Sequence, residues 1–84
     1  MEYNLAIDLE VLRFLLSLKS VNRAKLLLWL EELKSSPFLA GQFTTFDSTQ
    51  REIQVSVISS FLVYHWTDHA VRIVQVVKIE FNLA

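Results

Sequence analysis

The stretch EIQVSVISSFLVYHW, residues 52–66, decides the fold. Ile53, Val55 and Val57 alternate with Glu52, Gln54 and Ser56, the period of two that marks a strand with one apolar side. Phe61 to Trp66 is a second run rich in β-branched and aromatic residues, and Ser59-Ser60 between the two is a tight connection, so the stretch reads as an antiparallel hairpin. Downstream, Thr67-Asp68-His69 supplies a turn. Val71, Ile73, Val77, Ile79 and Phe81 then alternate with Arg72, Val74, Val76, Lys78 and Glu80 in a long final strand, expected to be central. Three strands joined in succession make a meander.

Upstream the period changes. Val21 to Lys34 contains no Gly or Pro and is rich in Leu, Ala, Lys and Glu, which predicts a helix capped by Ser20. Leu26, Leu30 and Leu33 form an i, i+4, i+7 row, Ala24 and Leu28 sit nearly opposite, and Trp29 falls between Asn22, Lys25 and Glu32, so this helix is apolar on more than one side. Ser35-Ser36-Pro37 ends it, because Pro37 pushes Ser36 out of the α region. Ahead of it, a shorter helix starts after an Asp8 N-cap and runs from Leu9 to near Leu18. Its stripe Glu10, Arg13 and Ser17 faces solvent, with Leu9, Leu12, Phe14, Leu15 and Leu16 expected to be buried around the rest. Tyr3, Leu5 and Ile7 alternate with Asn4 and Ala6 as a first strand. From Phe38 to Phe46 the pattern is weak around Gly41, the one Gly in the chain, and predicts a loop followed by a short edge strand or extended stretch from Gln42 to Phe46. The class is α+β in the order β-α-α-β-β-β, a helical hairpin packed on one face of a mainly antiparallel four-stranded sheet, in one domain spanning residues 1–84.

Composition bounds the partners. A chain of 84 residues buries only about 60 to 65% of its unfolded surface. Yet 52% of these residues are apolar and the mean hydropathy is +0.35. That surplus predicts an exposed apolar patch marking an oligomer or partner interface. The absence of Cys removes disulfides, zinc–thiolate sites and thiol nucleophiles, and fits the cytoplasm. The net charge is −1 and the pI about 6.0, whereas domains that grip nucleic acid through phosphates often exceed a pI of roughly 9, so a nucleic-acid partner is disfavoured. No apolar run approaches the ~20 residues that span a bilayer, and Met1-Glu2-Tyr3-Asn4 lacks the basic start of a signal peptide, so no membrane association is expected.

The order of elements, with Leu33-Lys34-Ser35-Ser36-Pro37 after the second helix, Phe61-Leu62-Val63-Tyr64 in the meander and Thr67-Asp68-His69-Ala70-Val71 after it, resembles the RelE/ParE superfamily of toxin components over nearly the whole chain. The segment containing Phe61, Leu62 and Tyr64 is similar to the family's Tyr-Arg-hydrophobic-Tyr motif. The resemblance implies a toxin of a toxin–antitoxin system; members of the RelE branch cleave messenger RNA on the ribosome with basic residues on one face of the meander. This chain departs at those places. Leu62 stands where the family has Arg, Glu52 and Gln54 where basic residues are common, and Glu80-Phe81-Asn82-Leu83-Ala84 where an Arg/His/Tyr group closes the family's chain, so Tyr64 alone remains. Phosphoryl transfer relies on positive groups around the phosphorus. The expectation is therefore a RelE/ParE toxin-like protein that acts by binding protein and does not cleave messenger RNA. The rival is a diverged ribosome-dependent endoribonuclease with a relocated site.

No other chemistry is visible. His65, Asp68 and His69 straddle a strand end and a turn, where a His-x-x-x-His spacing does not align as it does on a helix, so no metal or cofactor is expected. Arg51, Arg72 and Lys78 lie near Glu52 and Glu80, as in an ion-paired surface. No nucleophile elbow or Gly-rich loop accompanies the Ser, His and Asp residues. Leu62, Tyr64 and Trp66 share one side of the third strand, and Val74 and Val76 share the matching alternation of the last. With Phe61, Val63, Ile73, Val77 and Ile79 toward the helices, these five face away and form one candidate partner surface. Leu28 and Trp29 on the outer side of the second helix form the other. The expected occupant is an antitoxin-like segment or a second copy of the chain.

Overall fold

In the computed structural model, which describes residues 2–83, the alternating stretches are strands and the Leu-rich segments are helices. In chain order the elements are β1 (Asn4–Ile7), α1 (Leu9–Ser17), α2 (Ser20–Ser35), β2 (Phe43–Phe46), β3 (Glu52–Ile58), β4 (Phe61–Asp68) and β5 (Ile73–Phe81). They build one five-stranded sheet in the order β1-β5-β4-β3-β2, antiparallel throughout except that β1 runs parallel to β5. β5 is thus an interior strand and β4 holds the centre. The strand beyond the expected four is β2, the extended stretch now paired along the edge with Phe43 opposite Val55 and Phe46 opposite Glu52. Gly41 makes that approach possible, since a Cβ there would lie 2.5 Å from the Val55 carbonyl oxygen. The amide of Gly41 donates to Gln54 Oε1 at 2.8 Å and the amide of Val57 to Gln42 Oε1 at 2.9 Å, which ties the approach segment to β3.

The connections follow from local chemistry. Ile58 pairs with Phe61 across Ser59-Ser60, and Ser59 has φ 56°, the positive value that a two-residue hairpin needs to match the strands' twist. Between β2 and β3 the Asp47 carboxylate accepts from the Thr49 amide at 2.8 Å and the Arg51 amide at 3.0 Å, an Asx-type turn. β4 continues to Asp68, two residues beyond Trp66, so the turn into β5 falls later than expected.

Both helices pack on one face of the sheet. Val11 and Leu15 of α1 and Leu26, Leu30 and Leu33 of α2 meet Phe61, Val63, Val74, Val76 and Ile79 in one core cluster. α2 buries the row expected of it. α1 buries less: only Val11 and Leu15 are fully covered, with Phe14 half-buried, while Leu9, Leu12 and Leu16 are exposed because a helix on a single sheet face turns its other side to solvent. Asp8 occupies the N-cap position without a side-chain cap bond, and Ser20 lies inside α2, whose first amide bond runs from Arg23 to the Lys19 carbonyl at 3.0 Å.

The last strand corrects the expected facing. Tyr64 pairs with Lys78 but His65 with Val76, so Val77 is an extra residue in β5, a β-bulge. The bulge shifts the alternation by one. Val74 and Val76 therefore point to the helices and are 0% exposed, joining Ile79 on that side, whereas Ile73 and Val77 lie outside the core cluster. No described helix is long and apolar enough to cross a membrane.

Candidate functional site

The sheet face away from the helices is the candidate site. Alternation along β4 places Leu62, Tyr64 and Trp66 there, between Phe61, Val63 and His65, which point into the core. Across the ladder Leu62 stands opposite Val57 and Glu80, Tyr64 opposite Val55 and Lys78, and Trp66 opposite Gln75. A shallow groove of about 410 Å³ runs over this face, lined by Phe43, Val55, Val57, Leu62, Tyr64 and Asn82 among others.

Charge on the face is internally neutralised. The Tyr64 hydroxyl donates to Glu80 Oε2 at 2.5 Å, and Lys78 Nζ lies 3.4 Å from Glu80 Oε1 and 5.5 Å from the Tyr64 ring centroid. The hydrogen bond to Glu80 raises the Tyr64 phenol above its ordinary value, and the same bond lowers the Glu80 carboxyl. Arg51 stacks 4.0 Å above the Trp66 ring and donates to Asp47 Oδ2 at 3.3 Å. The Asp47 carboxyl is lowered, first by its hydrogen bond from the Thr49 side chain. Lys78 and Arg51 thus each already face a carboxylate, and Tyr64 is held protonated. Such a surface offers apolar area and a rigid aromatic, and little field for a phosphate.

The remaining sequence candidates scatter. Phe61 is a core residue, 1% exposed, with Phe14 and Phe81 rings at 6.1 and 5.2 Å. Val74 and Val76 are buried under the helices, so they are not part of the open face. Leu28 points outward and is 68% exposed, but Trp29 is half-buried and edge-on to His65 at 5.6 Å, because successive helical residues are about 100° apart. Those two do not share a surface. Gln54 donates to Glu52 Oε1 at 3.1 Å while accepting from Gly41, and so serves as a loop anchor.

His65, Asp68 and His69 do not converge. His65 is 1% exposed, with Nε2 hydrogen-bonded to Ser56 Oγ at 2.8 Å, and desolvation lowers its imidazole to about 4. His69 stacks on Phe38 at 4.4 Å and hydrogen-bonds the Tyr3 hydroxyl at 2.8 Å, and Asp68 accepts from the Ala70 amide at 3.1 Å. Among the described residues, no group of three acidic or imidazole side chains is placed to hold a metal ion. Sequence reasoning missed Phe43 and Asn82 in the groove wall and Asp47 as the partner of Arg51. Phe43 and Phe46 are three apart, out of step with a strand's period, so alternation does not advertise them.

No protein-family model matches the sequence, and no curated protein matches it. Solved structures do match the fold. A crystal structure of the archaeal RelE–RelB complex from Pyrococcus horikoshii superposes with a TM-score of 0.80 at 14% identity, covering 99% of this chain and 98% of that one. A RelBE toxin–antitoxin complex from Mycobacterium tuberculosis gives 0.75 at 11% identity over 96% and 99% of the two chains. A mutant of the E. coli toxin RelE in the free state gives 0.73 at 19% identity over 99% and 86%. The chain has the fold of these RelE toxins.

Proposed function

We propose that this chain is a diverged RelE/ParE-type toxin-like protein, a single domain whose open sheet face binds a segment of an antitoxin-like protein, and that it does not cleave messenger RNA. The observation that carries the reading is the composition of that face: an apolar groove beside Leu62 and Tyr64, with Lys78 committed to Glu80 and Arg51 to Asp47. Cleaving an RNA backbone calls for positive groups aimed at the charge that develops on phosphorus and its oxygens. Here an incoming phosphate meets Leu62 and the Glu80 carboxylate. An apolar segment of a partner, by contrast, gains by covering Phe43, Val57 and Leu62. Two of the structures of like fold are toxin–antitoxin complexes, which supports a protein occupant.

The test has two arms. Purified chain added to programmed ribosomes is expected to leave the messenger intact. Robust codon-dependent cleavage that Tyr64→Phe abolishes would favour the diverged endoribonuclease instead. Co-expression with the product of the neighbouring reading frame is expected to give a stable complex that Leu62→Glu weakens by at least about tenfold, since it places a charge in a desolvated contact. A complex indifferent to Leu62 and Phe43 substitutions would remove the open face from the reading.

A further inference from the structure

Apart from the open sheet face, an apolar surface lies on the outward side of the helical hairpin, where Leu9, Leu12 and Leu16 of α1 and Val21, Leu27 and Leu28 of α2 are all exposed. Opposite the buried row Leu26, Leu30 and Leu33, α2 presents Val21, Ala24, Leu28 and Ser35, spaced i, i+3, i+7 and i+14 along one strip. Lys25 and Glu32 are seven residues apart and so flank that strip on the same side. The cations Arg23 and Lys25 sit in the first half of α2, and Glu31 and Glu32 in the second. Glu31 has Lys34 at 3.9 Å, but among the described residues neither Lys25 nor Glu32 has an ion-pair partner within the chain. At the C-terminal end of the strip a shallow depression of about 480 Å³ is lined by Leu28, Glu31, Glu32, Ser35 and Ser36.

We propose that this strip docks a second copy of the chain, α2 against α2, antiparallel about a two-fold axis near Leu28. A two-fold contact needs one patch complementary to itself. Residues equidistant from the axis exchange places, so Leu28 meets Leu28, Lys25 of each copy comes to Glu32 of the other on the same flank, and Val21 comes to the depression beside Ser35. A parallel two-fold puts the two copies of Lys25, and of Glu32, on opposite flanks of the contact, so Lys25 and Glu32 do not meet. The charge order along α2 therefore selects both the occupant and its direction, while transfer of Val21, Ala24 and Leu28 from water supplies the drive. The sheet's open face lies on the far side of the molecule and stays free, so this inference does not depend on what binds there.

Sedimentation velocity of the full chain over a wide concentration range tests it. The parent is expected to sediment as a monomer–dimer equilibrium and Leu28→Glu as a monomer at concentrations where the parent is dimeric. Lys25→Glu and Glu32→Lys are each expected to weaken the dimer by about tenfold, because either swap turns two symmetry-related attractions into repulsions, and the double swap to restore it. Both charges are at the surface, so these variants keep the fold even if Leu28→Glu does not. Leu62→Glu is expected to leave self-association unchanged. A parent that stays monomeric throughout, single swaps without effect, a double swap as weak as the singles, or a dimer broken by Leu62→Glu would each overturn the proposal.

Discussion

Acidification below pH 6.5 is expected to weaken the fold through one side chain, His65. The ring is 1% exposed, bonded to Ser56 and set edge-on to Trp29, and loss of water around it lowers its titration from 6.5 to about 4. An unfolded chain takes up this proton as the pH falls through 6.5, whereas the folded chain refuses it until about 4. Between those values the unfolded state holds more protons, so the free energy of unfolding falls as pH falls. The contribution is complete above 6.5 and gone near 4. At about 1.4 kcal/mol per pH unit, that gap is worth roughly 3 kcal/mol. Against the roughly 5–10 kcal/mol that holds a small domain together, this is a large share. Urea unfolding followed by Trp fluorescence should show the midpoint dropping by about 2 M across the window, given a slope of ~1–1.5 kcal/mol per M. The carboxyls of Asp47 and Glu80 are held below their ordinary 3.8 and 4.5, so their stabilisation is present above those values and is lost only as the pH falls through and below them. The upper part of the window therefore belongs to His65. His65→Gln keeps an amide for Ser56 and cannot titrate; it is expected to lower stability near neutrality by about 1–2 kcal/mol and to flatten the profile between 6.5 and 5. A parent whose stability does not change over that interval, or a His65→Gln variant that keeps the parent's slope, refutes the reasoning.

Gly41→Ala is expected to cost about 1–3 kcal/mol, because its Cβ would fall 2.5 Å from a backbone oxygen that cannot move without breaking the ladder; faster amide exchange confined to Phe43–Phe46 and β3 would locate the damage. Leu30→Ala should cost about 3 kcal/mol and Leu28→Ala no more than about 0.5 in the monomer, since the first empties a core position and the second trims an exposed one. Equal effects of the two in dilute chemical unfolding would contradict the orientation of α2.

The hairpin of β3 and β4 and the buried row of α2 were legible because each is a local pattern with one period. Ile53, Val55 and Val57 alternate, and Leu26, Leu30 and Leu33 recur at helical spacing, whatever the rest of the chain does. The missing cations of the meander were legible for the same reason, as identities at positions. β2 was only half visible: Phe43 and Phe46 do not alternate, and the segment is a strand because Gly41 lets the chain close on Val55. Trp29 looked like a neighbour of Leu28 on one surface, but α2 rotates it onto His65.

Local pattern sets which segments extend, which coil and how charge is distributed along them. It cannot choose between the two phases of an alternating strand when both phases are apolar, as in Ile73 to Phe81, where Val74 and Val76 compete with Ile73 and Val77. That choice is made by pairing. His65 registers with Val76 rather than Val77, the extra residue bulges, and both Val74 and Val76 swing under the helices. A one-residue shift exchanges the two faces of a strand, and only contacts with residues distant in the chain carry the energy to select it.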